Sequence, residues 1–188
     1  MIDISTAALA LTDRIETALQ EQLPVFIPQR SQSEYPLEVP IPSAYIVGPE
    51  DSDDAIEAMG WPDCFVWIMP EGSTLETRGT GDGTTESYIS STTVWISIIQ
   101  KVELGVDLPI RNGREITLME FSRIKAEHLR GILMDVLPRY VPDCVNVSEC
   151  RLEGSGVSDP LTINDLTYIE STVGITCRQH VEAWVSIS

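Results

Sequence analysis

The chain has 188 residues, 43% of them hydrophobic, and a formal net charge of −17. That length fits one domain and the apolar content supports a buried core, which excludes two full domains and disorder throughout. With 29 acidic side chains against 12 Lys and Arg, the chain is a poor ligand for nucleic-acid phosphates, and its longest apolar run, Cys64–Met69, is too short to cross a bilayer.

In chain order, the first predicted element is a helix over about residues 5–23. Ala8, Leu11, Ile15, Ala18, Leu19 and Leu23 repeat at three- and four-residue intervals. Asp13, Glu16, Gln20 and Glu21 take the other side, and Pro24 marks the expected end. The prolines at 24, 28, 36, 40 and 42 then predict an extended Pro-rich arm over 24–42. Ser43–Val47 reads as a short strand closed by Gly48-Pro49. Glu50, Asp51, Asp53 and Asp54 form an acidic loop leading into a helical turn near 55–59.

Two strands follow, Cys64–Met69 and Glu86 to about Glu103. In the second, Val94, Ile96, Ile98 and Val102 share one face, with Thr93, Trp95, Ser97 and Lys101 on the other. Residues 70–87 between them, with Gly79, Gly81, Asp82 and Gly83, read as a hairpin tip or a long flexible loop. A second helix starts at Thr117, where Thr117 and Glu120 have the spacing of a capping box. Its apolar rows are Phe121, Ile124, Ile132 and Val136 with Leu129, Leu133 and Leu137. Arg123, Lys125, Glu127 and Arg130 are expected toward water, and Pro138 at the end. The last third reads as β. Cys144–Leu152 alternates weakly, Gly154-Ser155-Gly156 is a break, and Ser171–Ile187 alternates regularly with Val173, Ile175, Cys177 and Val181 on one face. The predicted fold class is therefore α+β: a mixed, mostly antiparallel sheet packed by two main helices, in one domain spanning 1–188.

Few residues carry chemistry. Cys64, Cys144, Cys150 and Cys177 have no C-x-x-C spacing and read as small buried hydrophobes, with a Cys144–Cys150 bridge as an option. Gly79-x-Gly81-x-Gly83 lacks the Lys-Ser/Thr of a P-loop and the spacing of a dinucleotide fingerprint. His128 lies at the apolar margin of a helix, and His180 on the polar face of the last strand beside Arg178 and Glu182. No zinc or calcium pattern is present. The expectation is a protein that is not an enzyme, with no cofactor and no metal. The interface candidates are Trp61, Tyr88, Trp95 and Trp184, aromatics placed away from the core, together with Arg178, His180 and the Gly79, Gly81, Asp82, Gly83 loop. The alternative for the aromatics is burial under the arm or the loop.

Charge is uneven: residues 1–94 hold 16 acidic and 3 basic side chains, and residues 95–188 hold 13 and 9. This serves solubility, or an acidic surface that meets a basic partner or must not hold DNA. Met1-Ile2-Asp3-Ile4 has no basic region before its apolar residues, so no secretory signal is expected and folding is expected in a cytoplasm.

The order of elements resembles the tail terminator (tail completion) and related neck proteins of tailed bacteriophages. The likeness rests on the helix ending at Leu23-Pro24, on Ala44-Tyr45-Ile46-Val47, on the long Thr92–Glu103 strand, on the Phe121/Ile124/Leu129/Ile132/Leu133/Val136/Leu137 helix and on the long final strand. It implies a virion subunit, assembled in the host cytoplasm, that forms a ring, usually a hexamer. Such a ring caps the tail tube, joins it to the head connector and lets DNA pass, with no membrane partner. Glu50, Asp51, Asp53 and Asp54 are then candidates for a lumen that repels phosphates. The competing expectations are an acidic monomeric adaptor or inhibitor of a basic protein, and another neck or connector subunit.

Overall fold

The computed structural model describes residues 7–30, 38–48, 52–80, 85–141, 147–163 and 165–184. The predicted elements at Glu50, Asp51, Gly81, Asp82, Gly83, Cys144 and 31–37 lie outside these.

The first helix, α1 (Ala7–Arg30), buries Ala7, Leu11, Ile15, Ala18, Leu19, Leu23 and Ile27 along one stripe. It does not end at Pro24 but runs on through Pro24 and Pro28, so the arm expected from residue 24 begins later. The reason is placement. The two prolines are one helical turn apart, both on the exposed side, where the carbonyls of Gln20 and Pro24 lose a helical donor next to water. Leu23 and Ile27 meanwhile stay in the core, Phe26 meets Tyr140 edge to face at 6.0 Å, and Arg30 pairs with Asp135. Packing outweighs the local preference. Residues 38–43 do run without regular structure.

The short strand β1 (Ala44–Val47) leads to α2 (Ser52–Ala58). Then come two 17-residue strands, β2 (Cys64–Thr80) and β3 (Thr85–Lys101). Most of the stretch read as a loop is thus a strand: the hairpin reading holds, but both strands run almost to the tip. Glu71–Glu76 is polar apart from the half-exposed Leu75, so no alternation in its pattern marks a strand. It is held by the ladder to β3, with register shifts at Pro70/Gly72 and Thr77/Gly79. A small hairpin, β4 (Ile110–Arg111) and β5 (Arg114–Glu115), precedes α3 (Leu118–Tyr140). The chain continues with β6 (Val147–Val157), β7 (Leu161–Ile163) and the 19-residue β8 (Leu166–Trp184). The expected break at Gly154-Ser155-Gly156 lies inside β6.

The main sheet has the order β1-β2-β3-β8-β6, with β7 paired to β8. β1 is parallel to β2 and all other pairs are antiparallel. This is the expected α+β fold. One face, with Val66, Ile68, Val94, Ile96, Ile98, Val173, Ile175 and Cys177, packs against α1 and α3 in a single core. On the opposite face α2 covers one corner only, where Ile56, Ile46, Phe65 and Tyr168 form a small second cluster. The long strands span roughly 55 Å against roughly 35 Å for α3. Just beyond Val94 and Cys177 the helix-side residues turn polar: Ser90, Thr92 and Gln179 are buried there, with Thr92 bonded to Ser73 at 2.7 Å, before Val181 is again buried opposite Tyr88.

α3 begins as its sequence predicts. Glu120 N–H donates to Thr117 Oγ1 (3.2 Å) and Thr117 N–H donates to Glu120 Oε2 (2.8 Å). Two corrections concern its side and its end. Lys125 is not solvated but 7% exposed: its stem lies along the core while Nζ reaches Glu103 at 3.3 Å and sits 4.8 Å from the Phe121 ring centre. Pro138 does not stop the helix, because it removes one donor while Val141 N–H still reaches the Leu137 carbonyl at 3.1 Å.

Arg114 also clasps Glu120 with two bonds, 3.0 and 2.5 Å long. This clasp and the Thr117 N–H hold the Glu120 carboxyl down from 4.5 to about 2. A folded-state value below the unfolded one means that this cap stabilises fully above about pH 4.5, and that its contribution disappears as pH falls toward 2. In acid-unfolding curves, Glu120→Gln is expected to be less stable than wild type at pH 6, with the difference shrinking below pH ~4.5 and absent near pH ~2. A constant difference across that range would refute the assignment.

Candidate interaction face on the open side of the sheet

Residues opposite one another in an antiparallel ladder share a face. The register therefore places Trp95 with Gly174 and Gly154, Thr93 with Thr176, and Ser91 with Arg178, all on the side away from α1 and α3. Among the described residues no helix packs over this part of the sheet.

Trp95 lies flat across the two glycines. A Cβ added at Gly174 would come within 2.8–3.0 Å of three indole carbons, and one at Gly154 within 3.6 Å. The indole N–H donates to Glu71 Oε2 at 2.8 Å, which ties the ring to β2. Toward α2, Glu170 accepts from Ser97 (2.5 Å) and Thr172 (3.0 Å), so a carboxylate is fixed on the sheet surface by two hydroxyls. Thr93 and Thr176 share a 2.8 Å hydrogen bond. Farther along, Arg178 bridges Glu76 on β2 (3.1 Å) and Glu149 on β6 (3.7 Å), joining the sheet's two border strands across its width. Ile89 is buried beyond it, opposite the exposed His180. Four carboxylates, Glu71, Glu76, Glu149 and Glu170, thus stand on or beside this face as an ordered array of acceptors. Arg178 balances Glu76 and Glu149, and Arg151, opposite Thr176, adds a second cation, so the face presents ordered charges of both signs.

Three predicted interface residues, Trp95, Arg178 and His180, are brought together here. The others are not. Tyr88 points to the helix side of β3, half-buried. Trp61, at φ 55°, packs with the α2 cluster, and its N–H donates to the Ile56 carbonyl at 3.1 Å. Trp184 and Gly79 are strand positions opposite Thr85 and Ser87. Of the acidic candidates, Asp53 and Asp54 fall in α2, and Asp54 is exposed. Trp95 rests on the two glycines beneath it; residues 31–37 and 81–84, in the arm and the loop expected to cover the aromatics, lie outside the described residues. Sequence reasoning missed Glu71, Glu76, Glu149, Glu170, Gly154 and Gly174. Only Gly174 left a signal, as an isolated glycine inside a regular alternation, which marks a close approach.

Other surfaces are less organised. A groove of about 540 Å³ between the β4–β5 hairpin and α3 is lined by Arg111, Arg114, Arg123, Glu120, Glu127 and Ile124, among others. Glu120 holds Arg114 within it, while Glu127 is held by Arg130 from outside the lining, so Arg111 and Arg123 leave the groove with a basic excess. His128 sits half-buried on α3, its titration lowered by burial and by the nearby Arg30. Among the described residues, no group of three or more His, Cys, Asp or Glu side chains is placed to hold a metal ion, and no helix is long and apolar enough to cross a membrane. No protein-family model matches the chain, and no curated protein matches it.

Proposed function

We propose that the chain is a structural subunit of the head–tail junction of a tailed bacteriophage, forming a closed ring that caps the tail tube and joins it to the head connector while DNA passes through. The observation that carries this reading is that one sheet has two open borders on opposite sides. β1 pairs with β2 only at Phe65–Ile68, so among the described residues the outer edge of β2 from Met69 to Thr80 has no strand beside it. β6 ends the sheet on the other side. A surface that meets a different surface of the next copy closes into a ring when the rotation allows, and two strand edges offer main-chain bonds for that contact. Pro70, the two register shifts and Glu76 on the β2 edge disfavour indiscriminate pairing and leave Ser73–Glu76 as the regular stretch. The order of elements that resembles the tail terminator proteins supports the same reading. So does the charge of −17, which suits a channel through which phosphates slide without binding.

The same charge opposes self-association, since every copy repels the next. Ring formation is therefore expected to strengthen with salt. Light scattering coupled to size exclusion, with negative-stain microscopy, is expected to show a closed ring, alone or on added tail tubes, with a larger assembled fraction at 0.5 M than at 0.05 M salt (both roughly chosen around the ~8–10 Å screening range). A monomer under all of these conditions, including with tail tubes, would overturn the proposal. A saturable complex with one basic protein and no ring would instead favour the adaptor reading.

A further inference from the structure

Cys150 on β6 and Cys177 on β8 are direct register partners. Their sulfurs are 3.0 Å apart. Opposed residues in an antiparallel pair have Cα atoms roughly 4.5–5.5 Å apart, within the range a disulfide spans. The two side chains point to the same face, so bond formation asks the sulfurs to close by about 1 Å without moving either strand. Cys177 is fully buried, while Cys150 is half-buried and reachable from the border of the sheet. The sequence offered only a Cys144–Cys150 bridge; the cross-strand pairing comes from the register.

We infer that Cys150 and Cys177 are a thiol pair that closes to a disulfide when a small disulfide oxidant is supplied, clamping the border strand β6 to β8. In the first step the Cys150 sulfur, as thiolate, attacks one sulfur of oxidised glutathione. The S–S bond of glutathione breaks, and one glutathione leaves as a thiolate that takes up the Cys150 proton. In the second step the Cys177 sulfur displaces the second glutathione from Cys150, and its own proton goes to that leaving thiolate. Two S–H bonds are lost, one protein S–S bond forms, and oxidised glutathione is reduced to two thiols. The buried neighbour favours the first step, because the Cys177 thiol hydrogen-bonds to Cys150 and lowers its titration. The inference does not depend on the ring.

The test uses the full chain with oxidised glutathione at neutral pH, without denaturant. The expected product is lighter by about 2 Da, the two hydrogens lost. Cleavage after Glu149 separates Cys144 from Cys150, and the linked peptide pair is expected to carry Cys150 and Cys177. Joining residues 27 apart in the chain is expected to raise Tm by roughly 5–15 °C, and amide exchange in β6 is expected to slow. Cys177→Ser is expected to stop at a stable mixed disulfide on Cys150. Cys150→Ser, changed at the half-buried partner, is expected to protect Cys177 from the reagent even if Cys177→Ser fails to fold. A Cys144–Cys150 link, a wild-type product that remains glutathionylated, or no reaction at Cys150 would each overturn the inference.

Discussion

Gly174→Val is expected to lower the unfolding free energy by about 3 kcal/mol. Ordinary strand propensity argues the other way, since valine exceeds glycine by up to ~1 kcal/mol in strands. Geometry decides the sign. The first added carbon alone would stand 2.8–3.0 Å from the Trp95 ring, and that ring cannot swing aside freely because Glu71 holds its N–H. For a chain of this size the loss corresponds to a fall in Tm of roughly 6–12 °C. The control is a double-mutant cycle with Trp95→Ala. Trp95→Ala removes the obstruction, so Gly174→Val should cost much less in that background, with a coupling of about 1–3 kcal/mol. Equal Tm values for wild type and Gly174→Val would show that the indole does not rest on this glycine.

This pair also marks what could be read from the chain. Contacts made within a few residues were legible. The Thr117/Glu120 cap and the α3 stripe follow from spacing alone, as does the alternation of β8. The strand Ala44–Val47 is bounded by local signals. Readings failed where tertiary packing overrode a local rule. Pro24 looks like a terminator unless Leu23 and Ile27 are known to be buried on the far side of it, and Lys125 looks solvated unless Glu103 and Phe121 are known to wait for its ammonium. The site was least legible, because its parts are brought together only by strand register. Arg178 and Glu76 are 102 residues apart, and Trp95 and Gly174 meet only through the β3–β8 ladder. A single sequence with no fixed register could pick out Trp95, Arg178 and His180 as candidates, but not the carboxylates that organise them.

Arg178→Glu is expected to leave the subunit folded and to abolish ring assembly at concentrations where wild type is fully assembled. The two effects separate by magnitude. Partly exposed ion pairs such as Arg178 with Glu76 and Glu149 each contribute about 0–1 kcal/mol to folding. Their loss, with some added repulsion, is therefore a small fraction of a domain's stability. Assembly is more exposed to the change. Arg178 is the cation that spans from β2 to β6, the two border strands proposed to meet in successive copies. Reversing it places a third carboxylate between Glu76 and Glu149 and adds negative charge to a chain already at −17, in every copy of the ring. Size exclusion with light scattering should show Arg178→Glu as monomer with a near wild-type circular dichroism spectrum, and Arg178→Gln as intermediate. High salt should recover part of the assembly lost in Arg178→Glu by screening the repulsion, and recover less for Arg178→Gln, where the loss is of a bridge rather than a clash. An Arg178→Glu protein that assembles at the wild-type concentration and salt would remove this face from the ring contact and leave the strand edges to carry it alone.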